Sequence, residues 1–467
     1  MKTKFYSSTI FLATALCIAP IFSSAQTIAA GASQSLAICN DNTPKNWGDN
    51  SSGELGDGTL VESNSPISIN GLTNVSAVSG GQIHSMALKS GGVWCWGYNG
   101  YGQMGNGNTT DLHAATQIAS LTSMIAISAG AFHSLAVKSD GTVWAWGYNA
   151  HGQLGNGSSA DSHVPVQISG ITGATAIAGG SSHSLILKSD GTVWACGWNM
   201  FGELGNGTTT DHNTPVQVSG LTGVIAIAAG GDHSLALKSD GTVWAWGNNL
   251  YGQVGDNTTT DRSTPVQVTG LSGITAIAAG ASHCLALKSD GTVYAWGYNG
   301  YGQLGNGNTN DSHTAIQIAS LSNIYAIAAG GGHSMAIKSG GSVWGWGDNG
   351  LGELGDGTTN NSSTPIQVQG LCQVFASVNE IVSNDNISFY PNPSNGNFTI
   401  ENTNLNHEMD VTIYNSLGKE VYAQKLVSEK TEIELNDLAN GIYFVRMKTA
   451  SSFGGIETFT QKIIVQK

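Results

Sequence analysis

One phrase, "HSLALKSDGTVWAWG" at His233–Gly247, returns with small changes every 49 or 50 residues between about Thr27 and Val378. So long and even a period constrains the fold more than any other feature of the chain. Each unit is one supersecondary module, too small to bury its own apolar faces, so units must stack on copies of themselves. The tetrad "GELG", or its variants "GQLG", "GQMG" and "GQVG", counts seven units, starting at Gly53, Gly102, Gly152, Gly202, Gly252, Gly302 and Gly352. The His-Ser pair opening the phrase stands at His84, His133, His183, His233, His283 and His333, with Cys284 after His283. The first unit has Gln34-Ser35 there and lacks the "SDGTVW" words.

Within a unit, "ITAIAAG" (274–280), "HCLALKS" (283–289), "TVYAWG" (292–297) and "TPVQV" (264–268) are short, alternating, and β-branched or aromatic, which is strand patterning. Asp-Gly and Gly-rich joints separate them, and no amphipathic helical stretch of ten residues occurs. Each unit is therefore expected to be a four-stranded antiparallel meander. Such sheets bury both faces by stacking at about 10 Å, and radial closure hides their edges. The expected fold is all-β: a seven-bladed β-propeller followed by a small C-terminal β-sandwich. Paired aromatics such as Trp144/Trp146 and Trp244/Trp246 share one strand face and read as blade packing. The repeated histidines are too far apart for a metal and are expected to hydrogen-bond backbone within their own blades. The two matches to GxGxxG, at 100–105 and 300–305, lack a following helix and read as turns.

The consensus "IAAGxxHSLALKSDGTVWAWGxNxxGQLGNG" resembles the regulator-of-chromosome-condensation repeat over about 350 residues. That family forms seven-bladed propellers, so the resemblance implies the blade number that the period gives. Its relatives include a nuclear guanine-nucleotide exchange factor, a plant ultraviolet photoreceptor and a bacterial β-lactamase-inhibiting propeller, and fold analogy alone does not choose among such activities. The photoreceptor's Gly-Trp-Arg-His-Thr words are missing. The even units leave no room for an inserted exchange wedge, which places guanine-nucleotide exchange behind the other readings.

The chain opens with Lys2 and Lys4, an apolar run from Ile10 to Phe22 and then Ser23-Ser24-Ala25. This reads as a signal peptide cut between Ala25 and Gln26, giving a leader at 1–25, a propeller at 26–378, a linker at 379–386 and a last domain at 387–467. About 13 apolar residues cannot cross a ~30 Å membrane core, so no integral membrane segment is expected in the mature chain. After the leader, Cys39, Cys95, Cys196, Cys284 and Cys372 are odd in number and unrelated in repeat position, which argues against a disulfide framework or a zinc site. The segments "FYPNPSNGNFTI", "VTIYNSLGKEV", "TEIELNDLANGIYFVRM" and "QKIIVQK" of the tail alternate apolar and polar residues. They resemble the type A C-terminal sorting domain of the type IX secretion system. The resemblance implies the outer-membrane translocon as a partner and a destination outside the cell or on its surface.

Charged residues are 10% of the chain, the formal net charge is -14, and Lys plus Arg number 17. No basic stripe exists to bind nucleic acid. No nucleophile elbow or isolated carboxylate pair appears, so no enzyme activity and no cofactor are expected. Asp111/His113, Asp161/His163 and Asp311/His313 read mainly as solvated loop residues, with a spacing that could hold a cation weakly. In a meander the loops "AAGxxHS" and "WGxNxxGQLG" emerge on one side and the "SDGT" turn on the other. The units differ most on the shared face, at Gln82, Ile83, Tyr98, Tyr101, Phe132, Tyr148, His151, Trp198, Phe201, Asp232, Tyr251, Tyr298 and Tyr301. These residues form the expected ligand face, with an extracellular protein as the first ligand class and a glycan as the alternative. Asp49, Asp348 and Leu351 stand in the first and seventh units at matching positions.

Overall fold

The computed structural model describes residues 27–374 and, beyond them, 387–390, 394, 397–402, 409–415, 420–426, 428–435, 441–450 and 456–465. The expected leader, its Ala25–Gln26 junction and the expected linker lie outside the described residues. The chain divides into two compact units whose boundary falls between Phe375 and Ala376.

Every repeat forms one four-stranded antiparallel sheet with its strands in sequence order, giving seven blades. They span residues 28–68, 77–117, 124–167, 174–217, 224–267, 274–317 and 324–367. Blade 4 is typical, with strands Ala174–Gly179, His183–Lys188, Val193–Gly197 and His212–Gln217. Its second and third strands join through Lys188-Ser-Asp-Gly-Thr192, where Gly191 has a φ of 76°, a region that side chains disfavour. Asp190 Oδ1 accepts from Thr192 N at 3.0 Å and Thr192 Oγ1 at 2.6 Å, fixing the turn. Blade 1 builds the same turn from "NDNT": Asn42 supplies the positive φ, 61°, and Thr43 N and Oγ1 reach Asp41 at 3.0 and 2.6 Å.

Between each pair of neighbouring blades lies one apolar cluster. At blades 4 and 5, Leu185, Leu187, Leu204 and Val218 meet Val224, Ala236 and Trp246. The inner tryptophans Trp47, Trp96, Trp146, Trp246, Trp296 and Trp346 are completely buried. Burial removes about 150–250 Å² per ring, roughly 4–6 kcal/mol before entropy. Trp246 Nε1 donates to Glu203 O across the interface at 2.7 Å, and Gly205 leaves room for that ring: a Cβ there would sit 2.8 Å from Nε1.

The histidines correct the sequence expectation, because they bond side chains of the next blade. His183 Nε2 lies 3.0 Å from Ser234 Oγ, and that hydroxyl donates to Glu203 O at 2.9 Å. The hydroxyl's one proton goes to the carbonyl, so the imidazole carries its proton on Nε2 and donates it. The same link joins His84 to Ser134, His133 to Ser184, His283 to Ser334 and His333 to Ser35, while His233 meets Cys284 Sγ. Strand alternation explains it: His and the following Ser point to opposite faces, so each sheet shows His to one neighbour and Ser to the other. Gln34 replaces the imidazole at the remaining interface, with Nε2 donating to Gly81 O and His84 O, both at 3.1 Å.

Both ends of the propeller build blade 1. Val374 N donates to Gly341 O at 2.9 Å, as Ile274 N does to Gly241 O and Ile324 N to Gly291 O where blades 6 and 7 begin. Gln373 O accepts from Asn40 N at 3.0 Å, the place that Gly173 O takes with Ser189 N in blade 4. Residues 371–374 thus start the innermost strand of blade 1, and Ile28–Ala30 continue it. A Cys39–Cys372 disulfide seals this seam, with its Cα atoms 5.6 Å apart and 333 residues between them in sequence. This corrects the expectation of no disulfide. Cys39 stands at the repeat's Lys position and Cys372 at its Ser/Thr position, places that become neighbours only when the ring closes. Cys95, Cys196 and Cys284 are buried thiols that burial keeps protonated.

The C-terminal unit has two antiparallel sheets. One pairs Ile387–Tyr390, Asn397–Asn402 and Lys430–Glu434, and the other orders Glu420–Leu426, Met409–Asn415, Gly441–Ala450 and Ile456–Val465. Phe398, Ile400, Ile433, Val411, Ile413 and Val445 from the two sheets share one core, giving the expected small β-sandwich.

Candidate functional site

The loops of the variable face are held by a buried asparagine in every blade. In blade 4, Asn199 Oδ1 accepts from Leu204 N at 2.9 Å while Nδ2 donates to Thr208 O and Thr210 O at 3.1 and 2.9 Å. Its own N donates to Asp211 Oδ1 at 2.9 Å. Asp111, Asp161 and Asp311 cap Asn99, Asn149 and Asn299 in the same way at 2.7–2.8 Å. The partner imidazoles His113, His163 and His313 pack under Gly53, Gly102 and Gly252 of the preceding blade. These Asp/His pairs are loop and interface hardware, and no group of three metal-binding side chains exists among the described residues. Asn199→Ala would leave a buried N–H and two carbonyls unsatisfied. It is expected to cost about 3 kcal/mol, measurable as a lower denaturant midpoint with an unchanged slope.

The loop between the first two strands and the loop after the third meet on this face, as in Tyr148 N to Phe132 O and Asn248 N to Asp232 O, at 2.9 and 2.8 Å. The structure brings six of the expected residues into one ring chain across blades 2 to 4. Tyr98 and Tyr101 lie 6.2 Å apart, Tyr101 and Phe132 5.5 Å, and Tyr101 and Tyr148 4.9 Å. Tyr148 and His151 follow at 6.2 Å, and His151 and Trp198 at 4.1 Å, nearly perpendicular. His151 Nδ1 also reaches Asp211 Oδ2 of blade 4 at 3.0 Å. A second group joins blades 5 and 6, with Tyr251–Tyr298 at 4.8 Å and Tyr298–Tyr301 at 6.0 Å. Burial, then the neighbouring phenol and carboxylates, raises the pKa of Tyr148 and Tyr298, so both stay neutral phenols. Gln82 is exposed and Ile83 half-buried at the edge of blade 2. Phe201 is half-buried, its N bonded to Glu203 Oε2 at 3.0 Å, and it has no ring partner among the described residues.

Two residues that the sequence reading passed over stand between the aromatic groups: Met200, 60% exposed, and Leu250, 63% exposed. They follow the organising asparagine, where other blades have Ser51, Gly100, Ala150, Gly300 and Gly350. That contrast in the alignment was the available signal. Acids share the face. Asp232 is half-buried, and burial raises its pKa. Burial raises Glu54, Glu203 and Glu353 to about 7, 8 and 6, so Glu203 stays mainly protonated at neutrality while Glu353 gains its proton only in mild acid.

A closed ring of seven four-stranded sheets, with aromatic side chains gathered on one set of loops, defines a β-propeller. The chain is an RCC1-repeat propeller carrying a secretion system sorting domain. The regulator of chromosome condensation (RCC1) repeat matches residues 46–88, 90–137 and 140–187, the RCC1-like domain matches 168–389, and the secretion system C-terminal sorting domain matches 388–466. Type IX export places the protein on the cell surface or outside the cell. Among solved structures, human WBSCR16 is 26% identical over 69% of this chain and 92% of its own, with a TM-score of 0.64. Prp20p from Saccharomyces cerevisiae is 22% identical over 78% of this chain and 88% of its own, with a TM-score of 0.61. No curated protein matches the sequence. No helix among the described residues is long and apolar enough to cross a membrane.

Proposed function

We propose that the protein is an exported, non-catalytic propeller that binds an extracellular protein through its aromatic face. The continuous ring chain from Tyr98 to Trp198, extended by Met200 and Leu250 towards the tyrosines of blades 5 and 6, carries this reading. Aromatic and Met anchors on a rigid scaffold are the residues that dominate protein interfaces. Sugar stacking uses open ring faces, whereas most of these rings are half-buried by edge contacts with each other. The leader read at 1–25 and the sorting domain would deliver the propeller to its ligand.

Joint replacement of Tyr101, Trp198, Phe201 and Tyr301 by Ala is expected to weaken capture of protein ligands on an array by about 100-fold or more. The inter-blade bonds should keep the thermal midpoint within a few degrees of the parent. Glycan spots that bind while protein spots stay silent would move the assignment to the carbohydrate alternative.

A further inference from the structure

We infer that Tyr251, Tyr298, Tyr301 and Asp348 form a subsite for an arginine or lysine side chain of the protein ligand; the inference rests on the protein-binding reading of this face.

The three rings meet at 4.8 and 6.0 Å, the first pair tilted by 54° and the second nearly perpendicular at 83°, and of the three Tyr301, 44% exposed, turns most to solvent. Asp348 closes the group on the blade 7 side. Gly332 separates it from Tyr301: a Cβ there would lie 3.1 Å from Asp348 Cβ and 3.2 Å from Tyr301 Cδ2. The preceding blades carry Ile83, Phe132, Ser182, Asp232 and Ser282 at that position. Blade 7 alone among these six leaves the notch between carboxylate and ring open.

Charge complementarity selects the occupant. The seven lysines of the propeller, Lys45, Lys89, Lys138, Lys188, Lys238, Lys288 and Lys338, all stand beside the turn joining the second and third strands, at the other end of the blades. The one arginine, Arg262, is engaged by Asp256 at 2.6 Å. No ion pair among the described residues reaches Asp49, Asp232 or Asp348. An aromatic and carboxylate-bearing face without its own free lysine or arginine attracts a cation by both the ring quadrupole and charge. The opposite end shows that contact already made within this chain. Lys188 Nζ lies 5.9 Å from the Trp194 ring centre and 3.4 Å from Asp190, and Lys238 sits likewise by Trp244 and Asp240 at 5.5 and 3.8 Å. At Tyr301 and Asp348 the ring and the carboxylate are present, and the cation would come from the ligand.

The probes are labelled peptides with Arg between Leu and Trp, its Lys form, and a citrulline form that keeps the shape without the charge. Anisotropy with the full chain is expected to show the citrulline form binding about tenfold more weakly than the Arg form. Asp348→Asn and Gly332→Ala should each erase most of that ratio, Tyr301→Leu should reduce it several-fold, and Tyr101→Ala should weaken all peptides while leaving the ratio intact. Thermal midpoints near the parent value certify the variants as folded. Equal binding of the Arg and citrulline peptides, or an unchanged ratio in Asp348→Asn, overturns the subsite. If that equal binding still vanishes with the Tyr101/Trp198/Phe201/Tyr301 replacement, the protein-binding face stands without it. Silence of every peptide alongside glycan binding overturns both readings.

Discussion

Acidification from pH 6.5 towards pH 4 is expected to unfold the propeller, gradually at first and then within a narrow interval below about pH 5. Unfolded imidazoles take protons near pH 6.5, whereas burial lowers His84, His233 and His333 to about 4 and His133, His183 and His283 to about 3. Below pH 6.5 the unfolded chain therefore binds up to six protons more than the folded one. Stability that is complete above pH 6.5 is lost as the pH falls towards the folded values, at a limiting slope of about 8 kcal/mol per pH unit for six protons. The buried carboxyls act in the opposite sense. Glu54, Glu203 and Glu353 keep protons in the folded chain that the unfolded chain releases above pH 4.5. Between about pH 4.5 and 6 they offset close to half of the histidine slope, leaving roughly 4 kcal/mol per pH unit. Below pH 4.5 both states hold those protons and the offset ends. Circular dichroism melts across this range check the profile. Replacing two of the histidines by Gln, the residue blade 1 already uses, should flatten it by about 1.4 kcal/mol per pH unit for each one. A midpoint that stays constant from pH 6.5 to 4.5 would sink the account.

Reduction of Cys39–Cys372 is expected to produce the second large loss. The bond ties residues 333 apart, and the loop-closure entropy it removes from the unfolded chain is worth about 6 kcal/mol in the chain-entropy model. It also ties Cys372, at the start of the composite strand, to Cys39 at the end of blade 1's second strand, so its loss frees the edge where blade 1 meets blade 7. Cys39→Ser should melt well below the parent, and reductant should lower the parent to the same point while leaving the variant unmoved. Thiol counting must rise by two as the midpoint drops. An unchanged midpoint with both thiols released would show that the noncovalent seam suffices.

The period, the tetrads and the strand patterning carry the blade architecture directly, and the parity of connections in a meander puts the first and third loops of each unit on one end. The His-Ser link was equally present in the letters. Adjacent residues of a strand face opposite neighbours, so His183 and Ser234, 51 residues on, turn towards the same interface. The disulfide was hidden because repeat alignment treats the units as a line, whereas Cys39 and Cys372 are neighbours only on a circle. At the candidate site, Tyr98, Tyr101 and Trp198 stood out by type. The importance of Gly332 lies in what it lacks, and Met200 and Leu250 stand out only when set against the small residues of the other units.

The composite first blade also sets an order in time. Its inner strand lacks its beginning until Val374 has been made, so a chain growing from its N-terminus carries an unfinished ring through six later blades. The last letters of the propeller complete the first sheet, and the sorting domain match starts at residue 388. Closure of the cargo and synthesis of its export address therefore fall next to each other in time.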